Sequence, residues 1–289
     1  GLALAEIAAG MGVVAQCALR INPDVDAGTH DKISTGKADN KFGVPIDQAG
    51  QIFSKLANQP SVNLRGVAVH IGSQLGDLAP LERAFEKLGS LVTSLRGAGH
   101  EVTHVDLGGG LGVPYKAGDE MPSPAEYGAM VARVTKDWGV KLIFEPGRVI
   151  AGNAGVLLTT VVRVKRGIND PFVIGDAAMN DLARPALYGA YHDFVAVEPR
   201  GAEMTANIVG PICETGDTFA MGRLTDKLET GDLAVFRTAG AYGATMASSY
   251  NSRGFVPEVL VDRDKYAVVA DRIEAGAIMD AERVPEWLA

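Results

Sequence analysis

The sequence is poor in what several classes of protein require. It has only two cysteines, Cys17 and Cys213, which argues against a disulfide scaffold and fits a reducing compartment such as the cytoplasm. Basic charge is scarce. The 27 Lys and Arg against 35 Asp and Glu leave a net charge of −8, with no basic cluster, so neither nucleic acid nor a membrane surface is an expected partner. No stretch approaches the roughly 18 apolar residues of a membrane span. The start carries no signal-peptide pattern, and there is no internal repeat or low-complexity tract. The histidines His30, His100, His104 and His192 have no ligand spacing with Cys, Asp or Glu, so no metal site is expected.

What the chain has in quantity is glycine, and two placements stand out. His104-Val105-Asp106-Leu107-Gly108-Gly109-Gly110-Leu111-Gly112 and Leu142-Ile143-Phe144-Glu145-Pro146-Gly147-Arg148 each read as a buried strand that stops in glycine. Without Cβ atoms, backbone N–H groups can close on an anion, and Arg148 adds a fixed positive fork. Two adjacent strand ends holding one phosphate is a common arrangement for the last strands of a (β/α)8 barrel.

The surrounding pattern agrees. Strands are expected at Cys17–Asn22, Gly66–Ile71, Val102–Leu107 and Leu142–Glu145, with helices between them. Ile46–Leu56 is one helix. Pro80–Leu95 is the clearest, with Leu81, Phe85, Leu88, Val92 and Leu95 at helical spacing. Ser123-Pro124-Ala125-Glu126 is a capping box opening a helix that Gly139 closes. Near-continuous apolar strands alternating with helices predict a parallel sheet. After residue 150 the pattern changes to short β-rich runs (Val156–Val164, Phe172–Ile174, Glu203–Val209, Leu233–Arg237, Val256–Val261 and Lys265–Val269), as in an antiparallel barrel or sandwich. The expected fold class is therefore α/β (1–150) followed by all-β (151–289). Four βα units cannot close an eight-stranded barrel of about 250 residues. Residues 2–12 look like a helix with no strand before it, so the first part reads as the C-terminal half of a barrel, and poor solubility is expected of the isolated chain.

These motifs, together with His70-Ile71-Gly72-Ser73 and Cys213-Glu214-Thr215-Gly216-Asp217, resemble the pyridoxal-phosphate decarboxylases of alanine-racemase-type fold. Ser34-Thr35-Gly36, Lys41-Phe42-Gly43, Arg184-Pro185-Ala186-Leu187-Tyr188 and Ala247-Ser248-Ser249-Tyr250-Asn251 are similar to signatures of its diaminopimelate branch, and the resemblance runs from Gly1 to Leu288.

The resemblance implies a (β/α)8 TIM barrel binding pyridoxal 5'-phosphate, then a β domain, in a homodimer whose active site is shared between subunits. It implies decarboxylation of meso-2,6-diaminopimelate to L-lysine and CO2. Glu145 would keep the pyridine nitrogen protonated, and His70 would stack on the ring. Ser73, Gly108, Gly109, Gly110, Gly147 and Arg148 would form the phosphate cup, with Tyr242 adding a hydroxyl. Arg148, Arg184, Tyr188 and Tyr242 would contact substrate, the distal carboxylate suiting the Arg fork. Cys213 would protonate the product carbanion in the partner's site, and Glu214 would meet the distal ammonium.

One element departs from the family pattern. The lysine that holds the cofactor lies on the family's first barrel strand, which this sequence does not contain, and its eleven lysines offer no substitute. Lys141 starts a strand at the wrong end, Lys165 lies in the β part, and Lys32, Lys37 and Lys41 read as solvated loop charges. The 289-residue chain alone is therefore expected to be inactive. Two other readings compete. A non-catalytic, regulatory relative would not need Glu145, Arg184, Cys213 and Glu214 together. A sister decarboxylase acting on arginine, ornithine or a carboxylated polyamine would not need Arg184 with Glu214.

Overall fold

The computed structural model describes residues 1–26 and 41–288. His30, Lys32, Lys37 and the Ser34-Thr35-Gly36 motif lie outside the described residues. Two compact units divide the chain. The first comprises Gly1–Pro114 and Gly118–Ile150, the second Tyr115–Ala117 and Ala151–Ala289.

The first unit is a five-stranded parallel sheet with helices packed on it. After α1 (Leu2–Gly10) come β1 (Ala15–Asn22), β2 (Val44–Pro45), α2 (Ala49–Ala57), β3 (Val62–Val69), α3 (Ala79–Gly97), β4 (His104–Asp106), α4 (Pro124–Thr135) and β5 (Lys141–Ile143). The strand order is β2-β1-β3-β4-β5. Four of the strands were legible in the sequence. The fifth, β2, is two residues long and pairs with Ile21 and Asn22. The capping box forms as expected, with Ser123 and Glu126 bonded reciprocally. The helix it opens stops at Thr135, four residues before Gly139, where a bond from the Trp138 N–H to the Thr135 carbonyl tightens the exit.

The sheet has two chemically different faces. Leu19 and Ile21 of β1, Val67 and Val69 of β3, Val105 of β4 and Leu142 of β5 all join one apolar core with Phe85, Leu88 and Val92 of α3. Because side chains alternate along a strand, the residues between them point away from the helices. At the carboxyl ends of the strands these are Arg20, His70, Asp106 and Glu145.

The second unit opens with α5 (Arg148–Ala151), which straddles the boundary. It then forms a six-stranded sheet, with β6 (Leu157–Lys165), β7 (Phe172–Gly175), β8 (Phe194–Ala196), β9 (Glu203–Val209), β10 (Thr218–Asp226) and β11 (Leu233–Phe236) in the order β10-β9-β7-β6-β11-β8. All pairs are antiparallel except β7 with β9. The sheet curls until its edge strands nearly meet. Thr225 of β10 donates to the Phe194 carbonyl at 3.0 Å, and Asp226 accepts from the Ala196 N–H at 2.8 Å. Phe194, Phe219 and Phe236 fill the interior. A separate hairpin pairs β12 (Glu258–Asp262) with β13 (Lys265–Ala270). The short α6 (Arg184–Tyr188), β8 and β10 were not foreseen as regular elements.

Candidate active site

In the first unit the ends of β3, β4 and β5 are laced together by glycine. The N–H of Leu107 bonds to the Ile143 carbonyl at 2.9 Å, and that of Glu145 to the Gly108 carbonyl at 2.8 Å, so pairing continues past the strands. Leu75 and Gly110 are joined in the same way at 2.9 Å. A Cβ on Gly108, Gly109 or Gly110 would run into the carbonyl oxygen of Val69, Glu145 or Gly72 respectively, and Gly108 and Gly110 have φ of +67° and +111°. The three glycines are thus what lets three loops touch. Gly147 differs, because a Cβ there would meet nothing within 4 Å. Its lack of a side chain leaves open space. Arg148 is buried beside it, and Ser73 is half-buried after Gly72.

On the sheet face away from the helices, Nδ1 of His70 accepts from the Gly109 N–H at 3.3 Å. Asp106 accepts from the Gly108 N–H at 2.8 Å, and Arg20 reaches the His70 carbonyl at 3.5 Å. Burial, with the nearby Arg20 charge, lowers the His70 pKa against an opposing pull from Asp106. The ring is therefore held neutral, as its acceptor role at Nδ1 requires. A depressed folded-state pKa gives stability that is complete above the unfolded value near 6.5 and lost as pH falls through the folded value. Denaturant unfolding across pH 7.5 to 4.5 should therefore show an acid-side loss that His70→Asn, an acceptor that does not titrate, makes shallower. An unchanged profile would contradict the assignment.

A cavity of about 480 Å³ opens beside these loops. Gly108–Gly110 and Gly147 line part of it, but its other walls include Tyr127 and Phe144. Those two rings meet edge-on at 6.3 Å, which puts Phe144 on the helix side and its neighbour Glu145 on the opposite face. The cavity therefore touches the glycine loops from behind, and the polar face lies elsewhere. Burial, with the Asp106 charge, pushes the Tyr127 phenol up to about 12, so it stays protonated.

In the second unit, Cys213 and Glu214 stand exposed on the turn between β9 and β10. Asp217 holds that turn. It is buried, and its carboxylate accepts from the N–H groups of Ile212 and Met179, each at 2.7 Å. Burial raises its pKa despite those two bonds. Glu214 is fixed from two sides. Oε2 accepts from the Tyr250 hydroxyl at 2.5 Å, and Oε1 packs so close over Gly216 that a Cβ there would meet it at 2.7 Å. The bond to Glu214 and its charge, with burial, raise the Tyr250 pKa. The stretch before Tyr250 is tied down by Ser248, which exchanges bonds with Asn180 at 3.0 and 3.1 Å. Asn180 in turn accepts from Arg253 at 3.1 Å. Tyr242 is exposed, with φ of +65°.

Arg184 opens α6, and Tyr188 ends it one turn later on the same face. Arg184 is buried, with its guanidinium 4.8 Å from the Tyr115 ring centre. Of the lysines weighed above, Lys41 lies over the Phe42 ring and Lys165 near Phe172, while Lys141 begins β5.

Nothing in the sequence pointed to Arg20, Asp106, Asp217 and Tyr250 stood within motifs that assigned them no role, and His192 was read there only as a metal ligand lacking the spacing. All of these but Asp106 have a partner far along the chain, Arg20 at 50 residues from His70, His192 at 45 from Arg237, Asp217 at 38 from Met179 and Tyr250 at 36 from Glu214. Only Asp217 had a local signal, in the Gly-Asp pair that closes the Cys-Glu turn.

Residues 3–152 match the family described as the pyridoxal-dependent decarboxylase, pyridoxal binding domain. The chain is 52% identical over 288 residues to a diaminopimelate decarboxylase of Zymomonas mobilis, covering 99% of this chain and 68% of that one. It is 50% identical over 268 residues to one of Neisseria meningitidis, covering 92% and 66%. Among solved structures it is similar to diaminopimelate decarboxylase from M. jannaschii in co-complex with L-lysine, with a TM-score of 0.93 and 35% identity over all of this chain and 68% of that one. The chain thus spans about two thirds of the length of these relatives.

Proposed function

Given that this chain belongs to the diaminopimelate decarboxylase family of pyridoxal-dependent decarboxylases, we propose that it carries most of the residues that convert meso-2,6-diaminopimelate to L-lysine and CO2. The observation behind this reading is the polar face at the strand ends. There Glu145 and a neutral His70 are both tied to the glycine loop at Gly108 and Gly109. The open space at Gly147, the glycine-bounded loops and the buried Arg148 suit pyridoxal phosphate.

When bound, that cofactor supplies a sink for the electron pair left as CO2 departs. Gly108–Gly110, Gly147, Ser73 and Arg148 of the first unit would hold its phosphate, Tyr242 of the second would offer it a hydroxyl, and the neutral His70 ring would bear on its pyridine. Glu145 keeps a proton at the pyridine nitrogen. Each unit supplies candidates for the distal carboxylate of the substrate, Arg148 from the first and Arg184, Tyr188 and the Tyr242 hydroxyl from the second. Glu214, oriented by Tyr250, binds the distal ammonium. Cys213 delivers a proton to the carbon that has lost CO2. In the proposed homodimer, Cys213 and Glu214 of one subunit serve the other, and the enzyme works in the cytoplasm. Among the described residues no helix is long and apolar enough to cross a membrane.

The test is a substrate panel on the cofactor-loaded protein, completed with the N-terminal segment its relatives carry. Product release from meso-diaminopimelate, and not from ornithine, arginine or a carboxylated polyamine, is expected. Turnover of ornithine or arginine at comparable kcat/KM would overturn the assignment. In the same protein, Tyr250→Phe should raise KM for diaminopimelate roughly threefold to tenfold, as loss of one hydrogen bond to a charged group would, with a smaller change in kcat. An unchanged KM would remove Tyr250 from the account.

A further inference from the structure

His192 lies eight residues after Arg184, and both are buried, at 3% and 8% exposure. Nη1 of Arg184 is 3.0 Å from Nε2 of His192. A guanidinium can only donate, so Nε2 must present its lone pair. The other ring nitrogen, Nδ1, is 3.0 Å from the Arg237 carbonyl, which can only accept. The two contacts are satisfied together by one form of the ring, neutral with its proton on Nδ1.

The rest of the surroundings hold this pair in place. The Tyr115 ring stands edge-on to His192 at 5.3 Å while the Arg184 guanidinium lies over the same ring. Arg223 donates to the His192 carbonyl at 3.0 Å, and its guanidinium sits 3.9 Å from the Tyr191 ring centre. Lys116 approaches that ring at 4.7 Å.

We propose that His192 is a positioning residue for Arg184, its Nδ1–H tautomer, set by the Arg237 carbonyl, orienting the guanidinium toward the α-carboxylate of an amino-acid ligand. The inference rests on the reading of Arg184 as the group that binds the distal carboxylate. By accepting from Nη1 the ring fixes one side of the guanidinium, whose planar fork is the shape that suits a carboxylate. Its role is to accept one hydrogen bond while remaining uncharged. An imidazolium could not do this, nor could a side chain with donors only.

The test compares two ligands that differ by that carboxylate alone, L-lysine and cadaverine, in the cofactor-loaded, N-terminally completed protein. Arg184→Ala should weaken L-lysine roughly tenfold or more and leave cadaverine unchanged. Without that result the carboxylate reading itself fails. His192→Phe should lower the lysine-to-cadaverine affinity ratio in the same way, and adding Arg184→Ala to it should cost little more, because both changes break one unit. His192→Gln, whose carbonyl can accept from Arg184, should retain most of the ratio and serves where the Phe variant does not fold. Full lysine affinity in His192→Phe, beside a loss in Arg184→Ala, would overturn the positioning role alone. Equal losses for both ligands would reduce His192 to a structural part and also overturn it. Ring-nitrogen NMR shifts give a reading without substitution. A proton on Nδ1 is expected, and a proton on Nε2 would refute the proposal.

Discussion

Gly110→Ala and Gly147→Ala are expected to fail in opposite ways. At Gly110 the backbone has φ of +111°, and a Cβ would run into the Gly72 carbonyl. Left-handed strain and a backbone collision together should remove about 3 kcal/mol or more of stability. Local relaxation would also separate the β3 and β4 loops, since the bond between Leu75 and the Gly110 carbonyl joins them. At Gly147 a methyl meets no protein atom within 4 Å. Stability should then change by no more than about 0.5 kcal/mol, while the methyl intrudes on the space assigned to the phosphate. Denaturant unfolding and cofactor retention, measured on both variants, separate the two effects. A Gly147→Ala protein that retains cofactor like the parent would show that the open space has another use.

The second large effect is expected at Glu145. Its main chain is fixed by the bond to Gly108 and by the contact with Gly109, so substituting the side chain leaves the loop in place. Glu145→Gln keeps the shape but removes the charge proposed to hold a proton at the pyridine nitrogen. A single electrostatic group aimed at developing charge is worth about 10² to 10³ in rate, so kcat should fall by that order with cofactor still bound. Glu145→Asp should fall less. A Gln variant with the parent kcat would place the proton-holding group elsewhere.

Which parts of this were legible in the sequence follows from the range of the interactions. Leu81, Phe85, Leu88, Val92 and Leu95 announce α3 because a helix writes its buried face at a short period, and all five are buried. The capping box at Ser123 is likewise complete within four residues. β10 was missed because its pattern is broken. Gly222 has φ of +56°, and the register against β9 shifts twice, at Thr218/Ala220 and Ala220/Arg223, so no clean alternation survives. β8 is three residues long and rests on pairing with β11, which no local pattern can announce.

The site divides along the same line. The glycine loops and the Cys213-Glu214 turn are contiguous motifs and could be read directly, whereas their roles came from resemblance. The polar face could not be read, because Arg20, His70, Asp106 and Glu145 come from four strands and share a surface only after the sheet has formed. His192 was read only for the metal-ligand spacing it lacks. Its meaning depends on Arg184 in one direction and on the Arg237 carbonyl, 45 residues away, in the other.

The function proposed for this chain gives it the catalytic set of a diaminopimelate decarboxylase apart from a lysine to anchor the cofactor. The most direct test measures lysine formation from meso-diaminopimelate, with pyridoxal phosphate present, by two proteins. One is the 289-residue chain itself. The other is the same chain preceded by the N-terminal segment of the Zymomonas mobilis relative. No lysine is expected from the first and cofactor-dependent lysine from the second. Lysine formed by the chain alone, or none formed by a folded, cofactor-loaded fusion, would contradict the proposal.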